Sequence, residues 1–341
     1  MSVSVAPFQG TAAEWDAFGA AQLGWTAYHR FAWRSLLEET YGHECPFLAA
    51  RDASGTLAGL LPLARVRSRL FGHFLVSMPF VSYGGPVGSD AAVVALTDHA
   101  KSMATAEGAD LLELRSAREL PVSLPVSHRK LTVVLDLAGG ASAVLKRLKP
   151  KLRSQTKRSS KEGVTFEFGS DRVRDFHAVF ARHMRDLGTP AQPLAFFQGI
   201  ADRLGDDAWF GCAYLNGIPI TCGAGLRWGA EFEITWASSL REWNSISPNI
   251  GLYWAFIERA ANAGLSRFNF GRCTPDSNTH RFKLQWGAVD EPLWWYQHSA
   301  KDDAALPNQH SAKFAFAARV WRRLPVRLTT ALGPRIVRYL P

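Results

Sequence analysis

The order of expected secondary-structure elements occurs twice along the 341-residue chain, and this repetition constrains the fold more than any other feature. In the second half, apolar alternation and turn residues predict a hairpin, a strand, a helix capped by Ser247, a strand, a helix and a strand. These elements are expected at Trp209–Leu215, Ile218–Arg227, Glu231–Ser239, Ser247–Ala263, Arg267–Phe270, Ser277–Trp286 and Leu293–His298. The first half follows the same order, at Phe47–Ala50, Leu57–Val66, Phe74–Ser82, Asp90–Ala106, Leu111–Arg115 and Leu131–Leu137. The repetition is typical of mixed α/β sheets in tandem.

We therefore expect an N-terminal domain over residues 1–140, a second domain over 141–300 that opens with a basic helix, and a basic amphipathic tail over 301–341. Hydrophobic residues make up 47% of the chain and aromatic residues 12%, which is enough for two packed cores and excludes wholesale disorder. The sequence shows neither a secretory signal nor an apolar run of the ~20 residues that span a bilayer, so we expect a cytoplasmic protein. Four scattered cysteines favour a reduced compartment and no bound metal.

The positive charge is concentrated in two segments. Residues 146–161 carry eight basic side chains and no acid, residues 313–341 carry seven more and no acid, and the rest of the chain has 24 basic against 30 acidic residues. In the first segment, the side chains of Lys151, Arg153, Lys157 and Arg158 could bind the phosphates of a coenzyme, a nucleic acid or an anionic glycan. The alternative is a solvated helix face.

The second basic segment alternates apolar and basic residues. Phe314, Phe316 and Trp321 could form an apolar face flanked by arginines, as in helices that lie in a membrane interface. Pro325 and Pro334 are expected to break the segment into short pieces. Peripheral contact with the inner face of the cytoplasmic membrane and docking on the chain's own second domain are both open.

Several strings of the sequence resemble a known family. They are RSRLFGHFLVSMPFVSYGG, KLRSQTKRSSKEGV, RHMRDLGTP, WASSLREWNSISPN and FNFGRCTPDSNTHRFKLQWGA. Together with the duplicated order of elements, they resemble the FemAB superfamily of tandem GNAT acyltransferases, and within it the FemAB-like proteins associated with exosortase/PEP-CTERM and exopolysaccharide systems. The resemblance covers roughly residues 30–300.

The resemblance implies two tandem GNAT-like domains of mixed α/β class and the transfer of an acyl group. It implies no permanently bound cofactor, with acyl-CoA or aminoacyl-tRNA as co-substrate. The long helical arm of some Fem enzymes is missing from this sequence, which leaves the donor open. Nucleic acid is a partner only if the donor is aminoacyl-tRNA. The same resemblance makes Arg185, Asp186 and Thr189 an acceptor-side loop, where a C-cap and turn is the structural alternative.

Acyl transfer requires a base, a donor for the developing oxyanion and a groove that aligns the substrates. A polar cluster after the strand at Arg267–Phe270 lies where open α/β sheets build their sites. Within it, Arg272 could orient an anion, Asp276 could move a proton and Lys283 could stabilise an oxyanion. Glu233, in the middle of an aromatic-rich strand, would become a good general base if buried. The alternatives are an N-cap for Asp276, an exposed helix charge for Lys283 and a solvated strand face for Glu233.

Further residues are candidates for substrate binding: Tyr83, Trp236, Ser238, Asn249, Tyr253, Arg281 and Trp286. The aromatic side chains could stack on a sugar ring, although core packing is the common use of such residues. Ser238 and Asn249 flank the start of a helix, where an anion is favoured.

The sequence thus predicts an acyl- or aminoacyltransferase that acylates an amine or hydroxyl of a cell-envelope or exopolysaccharide precursor. No sequence setting for a Cys or Ser nucleophile is present, so direct transfer in a ternary complex is expected. Its partner would be a small-molecule or lipid-linked glycan. The alternative is a binding or scaffolding protein that kept the fold and lost catalysis.

Overall fold

The computed structural model describes residues 3–68, 71–299 and 312–340, and the chain divides into two units. Unit 1 consists of Met1–Lys130, Pro292–Gln309 and Arg338–Pro341, and unit 2 of Leu131–Glu291 and His310–Val337. These boundaries differ from the expected division at residues 140 and 300. The strand Leu131–Asp136 belongs to unit 2, and the strand Trp294–His298 belongs to unit 1. The expected start of the tail at residue 301 lies outside the described residues.

Unit 1 contains a four-stranded and a five-stranded sheet. Its elements are β1 (Ser4–Pro7), α1 (Ala12–Ala20), α2 (Ala32–Tyr41), β2 (Leu48–Arg51), β3 (Leu57–Leu61), β4 (Ala64–Ser68), β5 (Gly72–Val76), β6 (Val87–Gly88), α3 (Asp90–Ala106), β7 (Leu111–Ser116), β8 (Val126–Ser127) and β16 (Trp294–His298). The strand orders are β1-β2-β3-β6 and β4-β5-β7-β16-β8. The core contains buried side chains of α3, such as Val93 and Leu96, together with Leu75 and Leu112 of the sheet.

Two expected strands of unit 1 have different bounds. The strand expected at Leu57–Val66 is divided between β3 and β4, which lie in different sheets, and Pro62, which has no backbone N–H, stands at the break. The strand expected at Phe74–Ser82 ends at Val76, because Met78 and Phe80 have φ angles of 57° and 73° and leave the extended conformation.

Unit 2 contains a seven-stranded sheet with helices packed on it. Its elements are β9 (Leu131–Asp136), α4 (Gly140–Arg147), α5 (Pro150–Lys161), β10 (Thr165–Phe168), α6 (Val173–Leu187), α7 (Leu194–Leu204), β11 (Ala208–Leu215), β12 (Ile218–Trp228), β13 (Glu231–Ser239), α8 (Pro248–Asn262), β14 (Arg267–Cys273), α9 (Asn278–Leu284), β15 (Val289–Pro292), α10 (Ala312–Trp321) and α11 (Val326–Val337). The strand order is β10-β11-β12-β13-β14-β9-β15.

The expected elements of the second half are largely confirmed. The hairpin of β11 and β12 turns at Asn216-Gly217, where both residues have positive φ as a type I′ turn requires. Helix α8 begins at Pro248, but Ser247 does not cap it: its φ is 56° and its side chain makes no capping hydrogen bond. Buried Phe256 and Ile257 of α8 pack against the sheet around Phe232 and Phe268. The mixed α/β fold class follows for both units.

The C-terminal helices dock on unit 2. The Arg185 guanidinium donates to the Leu324 carbonyl oxygen at 3.1 Å, and the Arg322 guanidinium donates to the Leu187 carbonyl oxygen at 3.1 Å. The two contacts hold the chain around α10 and α11 against the C-terminal end of α6, as the docking alternative predicted. Within the described ranges, no helix combines the length and apolar character needed to cross a bilayer.

Candidate active site

The site begins where the parallel pairing of β13 and β14 stops. The two strands pair with each other at Glu231↔Arg267, Phe232↔Phe268 and Glu233↔Asn269. Beyond these pairs, β13 continues to Ser239 alongside β12, and β14 continues to Cys273 alongside β9. Each strand has a register irregularity beside this point, β13 against β12 between Trp236 and Ile234, and β14 against β9 between Asn269 and Arg272. Bulges of this kind re-aim side chains and are common next to active sites. The end of this ladder therefore marks the candidate site.

Two of the expected catalytic residues are buried together here. Glu233 is 0% exposed and Lys283 is 3% exposed. The Lys283 ammonium donates to the carbonyl oxygens of Gly271, at 2.5 Å, and of Arg272, at 2.9 Å. Desolvation lowers the pKa of Lys283 to about 8, opposed by the negative charge of Glu233, whereas Arg272 lowers the pKa further. Lys283 can thus serve as a cation near neutral pH and gives up its proton more easily than an exposed lysine.

Gly271 makes the close approach of β13 and β14 possible. Its φ is 72°, a conformation that glycine adopts without steric cost. A β-carbon at this position would lie 2.8 Å from the Ile234 carbonyl oxygen and 3.5 Å from Oε1 of Glu233. A side chain at position 271 would therefore clash with the β13 backbone beside the Glu233 carboxylate.

A buried asparagine holds this geometry, and the sequence interpretation missed it. The Asn269 side-chain oxygen accepts from the Gly271 N–H at 2.8 Å and from the Thr132 hydroxyl, while its amide nitrogen donates to Glu231 at 2.8 Å. Asn269 is 1% exposed. A polar residue inside the apolar string FNF was the signal that could have found it.

The loop after β14 has a structural organisation of its own. Ser277, not Asp276, caps α9, since its hydroxyl accepts from the His280 N–H at 3.1 Å. Asp276 is exposed, has a φ of 60° and donates its N–H to Nδ1 of His280 at 3.0 Å. The other ring nitrogen of His280 contacts Asp290 at 2.8 Å. Asp276 is thus placed on the rim of this loop, and His280 fastens the loop to β15.

Unit 1 contains a corresponding parallel ladder, but different residues stand at and beyond its last pair. Strands β5 and β7 pair up to Val76↔Glu113, so Glu113 occupies the position of Asn269 and Arg115 that of Gly271. The buried Arg115 guanidinium forms an ion pair with Glu113 at 2.7 Å, donates to the Val81 carbonyl oxygen at 2.9 Å and lies 4.5 Å from the ring centroid of Trp295. A buried charged side chain in unit 1 therefore stands at the position that a glycine occupies in unit 2.

The aromatic candidates lie in packed cores. Trp236 is 8% exposed and makes edge contacts with Phe197 of α7. Tyr253 and Trp286 are 8% and 2% exposed and belong to the cluster around Phe270. Burial raises the pKa of Tyr253 well above its usual value. These positions match the core alternative for the aromatic residues.

The remaining candidates are spread over the molecule. Ser238 is buried on β13, Asn249 is half-buried in the first turn of α8, and Tyr83 is buried in unit 1 with its ring 5.9 Å from that of Tyr28. Arg281 is exposed and contacts Asn278 at 2.6 Å. The α5 candidates, Lys151, Arg153, Lys157 and Arg158, are all exposed.

The expected acceptor loop lies at the end of α6. Arg185 forms an ion pair with Asp186 at 2.7 Å, in addition to its hydrogen bond to Leu324. Thr189 is exposed, and its N–H donates to the Met184 carbonyl oxygen at 3.0 Å. Part of this segment is therefore occupied in holding the C-terminal helices.

Comparisons with known proteins agree with this architecture. Residues 145–284, which include the β13–β14 site, match the family described as Acetyltransferase (GNAT) domain. No curated protein sequence matches the chain.

Three solved structures share the fold over most of the chain at low sequence identity. FemX has a TM-score of 0.65 at 16% identity, with 87% of this chain and 97% of that chain covered. A tandem GNAT protein from the clavulanic acid biosynthesis pathway has a TM-score of 0.57 at 12% identity, covering 89% and 100%. The C-terminal domain of a protein assigned as a lysylphosphatidylglycerol synthetase, from Agrobacterium fabrum, has a TM-score of 0.55 at 14% identity, covering 80% and 88%. The chain therefore has a tandem GNAT-like fold, and its residues 145–284 match the GNAT acetyltransferase domain family.

Proposed function

We propose that unit 2 transfers an acyl group directly from a thioester or ester donor to an amine or hydroxyl, at the end of the β13–β14 ladder. Glu233 accepts the proton of the attacking N–H or O–H, and the Lys283 ammonium stabilises the negative charge that develops on the carbonyl oxygen. The new C–N or C–O bond forms as the bond to the donor sulfur or oxygen breaks, and the leaving group takes up a proton. The donor is an acyl-CoA or an aminoacyl-tRNA.

The observation that carries this proposal is the contrast between Gly271 and Arg115. The two units have the same parallel ladder, but the position beyond its last pair holds a buried arginine paired with Glu113 in unit 1 and a glycine in unit 2. In unit 2 the Glu233 carboxylate and the Lys283 ammonium are buried beside that glycine. We therefore assign catalysis to unit 2.

Arg272 and three exposed cations of α5, Lys151, Arg153 and Arg158, are the proposed contacts for the donor. Arg272 is half-buried at the end of β14, where its guanidinium could orient a carboxylate or phosphate. Lys151, Arg153 and Arg158 are exposed, and no acid lies between residues 146 and 161. A polyanionic donor such as a coenzyme or an RNA end would be attracted to this segment.

For the acceptor we propose a precursor of the cell envelope or of an exopolysaccharide, reached at the inner face of the cytoplasmic membrane. Helix α10 supports the proposed membrane location. Its side chains Phe316 and Val320 are 66% and 44% exposed, lie one helical turn apart and are next to Arg319 and Arg323. Exposed apolar side chains flanked by arginines are typical of interfacial helices. FemX and the synthetase domain supply a precedent for the fold only.

The test combines donor binding with turnover. Purified protein should be stabilised against heat by its donor, so acyl-CoAs and aminoacyl-tRNA are compared first. With the donor identified, Glu233→Gln should reduce kcat/KM about 10²–10⁴-fold without lowering the melting temperature. Glu162→Gln, which makes the same change at an exposed position of unit 2, should leave turnover unaltered. Full turnover by Glu233→Gln would show that Glu233 is not the general base. Binding of the donor without transfer to any candidate acceptor would favour the scaffolding alternative.

A further inference from the structure

A groove of about 420 Å³ lies between α5 and α8 of unit 2, and nothing in the proposed transfer uses it. Its size is within the range of about 300–1,000 Å³ that ligand pockets have. Its walls include Leu145, Lys157, Lys161, Phe166, Trp254 and Glu258. Trp254 of α8 lines the groove, whereas the preceding residue, Tyr253, packs against Phe270 and Trp286 in the core.

The groove lies beside a close contact between the two helices. A β-carbon on Gly251 of α8 would lie 2.2 Å from Oγ of Ser159 and 2.6 Å from the Phe166 ring. The helices therefore touch at Gly251, which also lines the groove. The groove is thus built into the packing of α5 on α8.

One wall of the groove is cationic. Lys157 and Lys161 are four residues apart on α5, so they lie on the same helix face, and both are exposed. Among the ion pairs of the described residues, none includes either lysine. Glu258 is the carboxylate of the groove and stands on α8, the opposite wall, so an anion is favoured on the α5 side.

The remaining walls are mainly hydrocarbon. Leu145, Phe166, Trp254 and Ala255 line the groove, and Leu145 and Phe166 also pack against the core. Two adjacent ammonium groups above an apolar floor fit a ligand that joins an anionic head to a hydrocarbon chain. We propose that this groove binds the phosphate and proximal chain of an anionic lipid that is presented by a bilayer.

The surrounding charge favours a bilayer as the source of this lipid. Six further cations and no acid lie between residues 146 and 161 around the groove lysines. Such a segment is attracted to an anionic leaflet. Single-stranded nucleic acid is less well matched, because it requires successive aromatic platforms, and residues 146–161 contain no aromatic side chain.

The first experiment separates head from chain with soluble probes. Dodecyl phosphate, below its micellar concentration, should raise the melting temperature of the full chain, whereas inorganic phosphate and dodecyl maltoside should have little effect. Lys157→Glu/Lys161→Glu should weaken dodecyl phosphate binding about tenfold or more. Lys146→Glu/Lys149→Glu reverses the same charge on exposed residues outside the groove and should retain the affinity. Equal stabilisation by inorganic phosphate or by dodecyl maltoside would contradict the proposal that the groove binds an anionic lipid. Equal losses of affinity for dodecyl phosphate in the two double variants would contradict it as well.

The second experiment tests the bilayer. Sedimentation with vesicles of phosphatidylcholine and phosphatidylglycerol is compared with pure phosphatidylcholine in a Phe316→Asp/Val320→Asp background, so that α10 does not contribute. Ala255→Phe, which fills the groove without changing charge, should reduce binding to the anionic vesicles several-fold. Unchanged vesicle binding by Ala255→Phe contradicts the proposal. So does loss of vesicle binding in the presence of single-stranded RNA together with groove-dependent RNA affinity, which would assign the groove to nucleic acid.

Discussion

The Nζ atom of Lys283 lies 2.5 Å from the carbonyl oxygen of Gly271, the glycine that brings β14 close to β13. The same ammonium donates to the Arg272 carbonyl oxygen, so two of its three N–H groups fix the backbone beside Glu233. A side chain that shapes the site and also carries a positive charge into it gives predictions that separate the two roles.

Lys283→Met should reduce kcat about 10²–10³-fold, the usual effect of removing one donor to an oxyanion. It should also lower the free energy of unfolding by about 1–3 kcal/mol, since two carbonyl oxygens lose a buried partner. Turnover and denaturant unfolding measure the two effects. Lys101→Met in unit 1 is the matched control for removing an ammonium, and a comparable loss of turnover in that variant would speak against a specific role for Lys283.

Transfer should decline above about pH 8, because the pKa of Lys283 is lowered to about 8 by burial and the neutral amine no longer stabilises an oxyanion. A pH profile of kcat/KM measures this limb. Lys283→Arg, which stays protonated, should shift the limb to higher pH even if its rate is lower. An identical alkaline limb in Lys283→Arg would assign the ionisation to another group.

The same ionisation affects stability in the opposite direction. Between about pH 8 and the ordinary value of 10.5, the unfolded chain holds a proton that the folded protein has released. The free energy of unfolding therefore rises with pH through this window as far as Lys283 is concerned. Comparing wild type with Lys283→Met by denaturant unfolding across the window isolates the contribution, which is absent from the variant.

Gly271→Ala should cost about 1–3 kcal/mol of stability and most of the transfer activity, because it adds a side chain at a φ of 72° beside Ile234 and Glu233. Gly229→Ala has a similar backbone strain, at a φ of 51°, with open space around its β-carbon. Its melting temperature should fall less, because its β-carbon meets no neighbour within 4 Å, and turnover should be retained. Equal turnover in both variants would show that the close backbone approach at Gly271 is not needed for transfer.

Arg115→Met should destabilise the protein by about 3–5 kcal/mol, because Glu113 keeps a buried charge without its ion-pair partner. Neutralising both residues, as Glu113→Gln/Arg115→Met, should recover part of this loss. Chemical denaturation of the three proteins measures the coupling. If the double variant is no more stable than Arg115→Met, the guanidinium acts by filling space and bonding to carbonyl oxygens and not by pairing with Glu113.

Phe316→Asp/Val320→Asp should weaken binding to anionic vesicles with little change in melting temperature, since both side chains are exposed. Ala315→Asp/Ala317→Asp adds the same charge at exposed positions that present little apolar surface. The two double variants are compared by sedimentation. Equal losses would mean that net charge alone, and not an apolar contact of α10, determines the binding.

The elements of unit 2 could be predicted from the sequence because local signals determine them. The turn at Asn216-Gly217, the alternation along β13 and the stop of α8 near Gly264 are all readable in short windows. Glu233 and Lys283 could be singled out, since a carboxylate in a strand of aromatic residues and a lysine in a distinctive string both invite a chemical reading. Their burial beside the same glycine could not be predicted, because it depends on two bulges and on the register of β14 against β9.

The pairing partners of β9 and β16 could not be predicted from the sequence either. The order of elements places the expected strand Leu131–Leu137 in the first sheet and Leu293–His298 in the second, but β9 pairs with β14 and β16 pairs with β7. No local pattern distinguishes these choices, since either strand has the alternation that either sheet edge accepts. Asn269 was missed for a related reason: its role depends on Thr132, which comes from β9.

The placement of β16 between β7 and β8 has a consequence for biosynthesis. While the ribosome is still translating the second half, the five-stranded sheet lacks an inner strand, and β8 has nothing to join. In the same way, β9 of unit 2 is synthesised long before its partner β14. The halves of this gene product are thus obliged to mature together, and neither could be excised at the midpoint of the chain as an autonomous module.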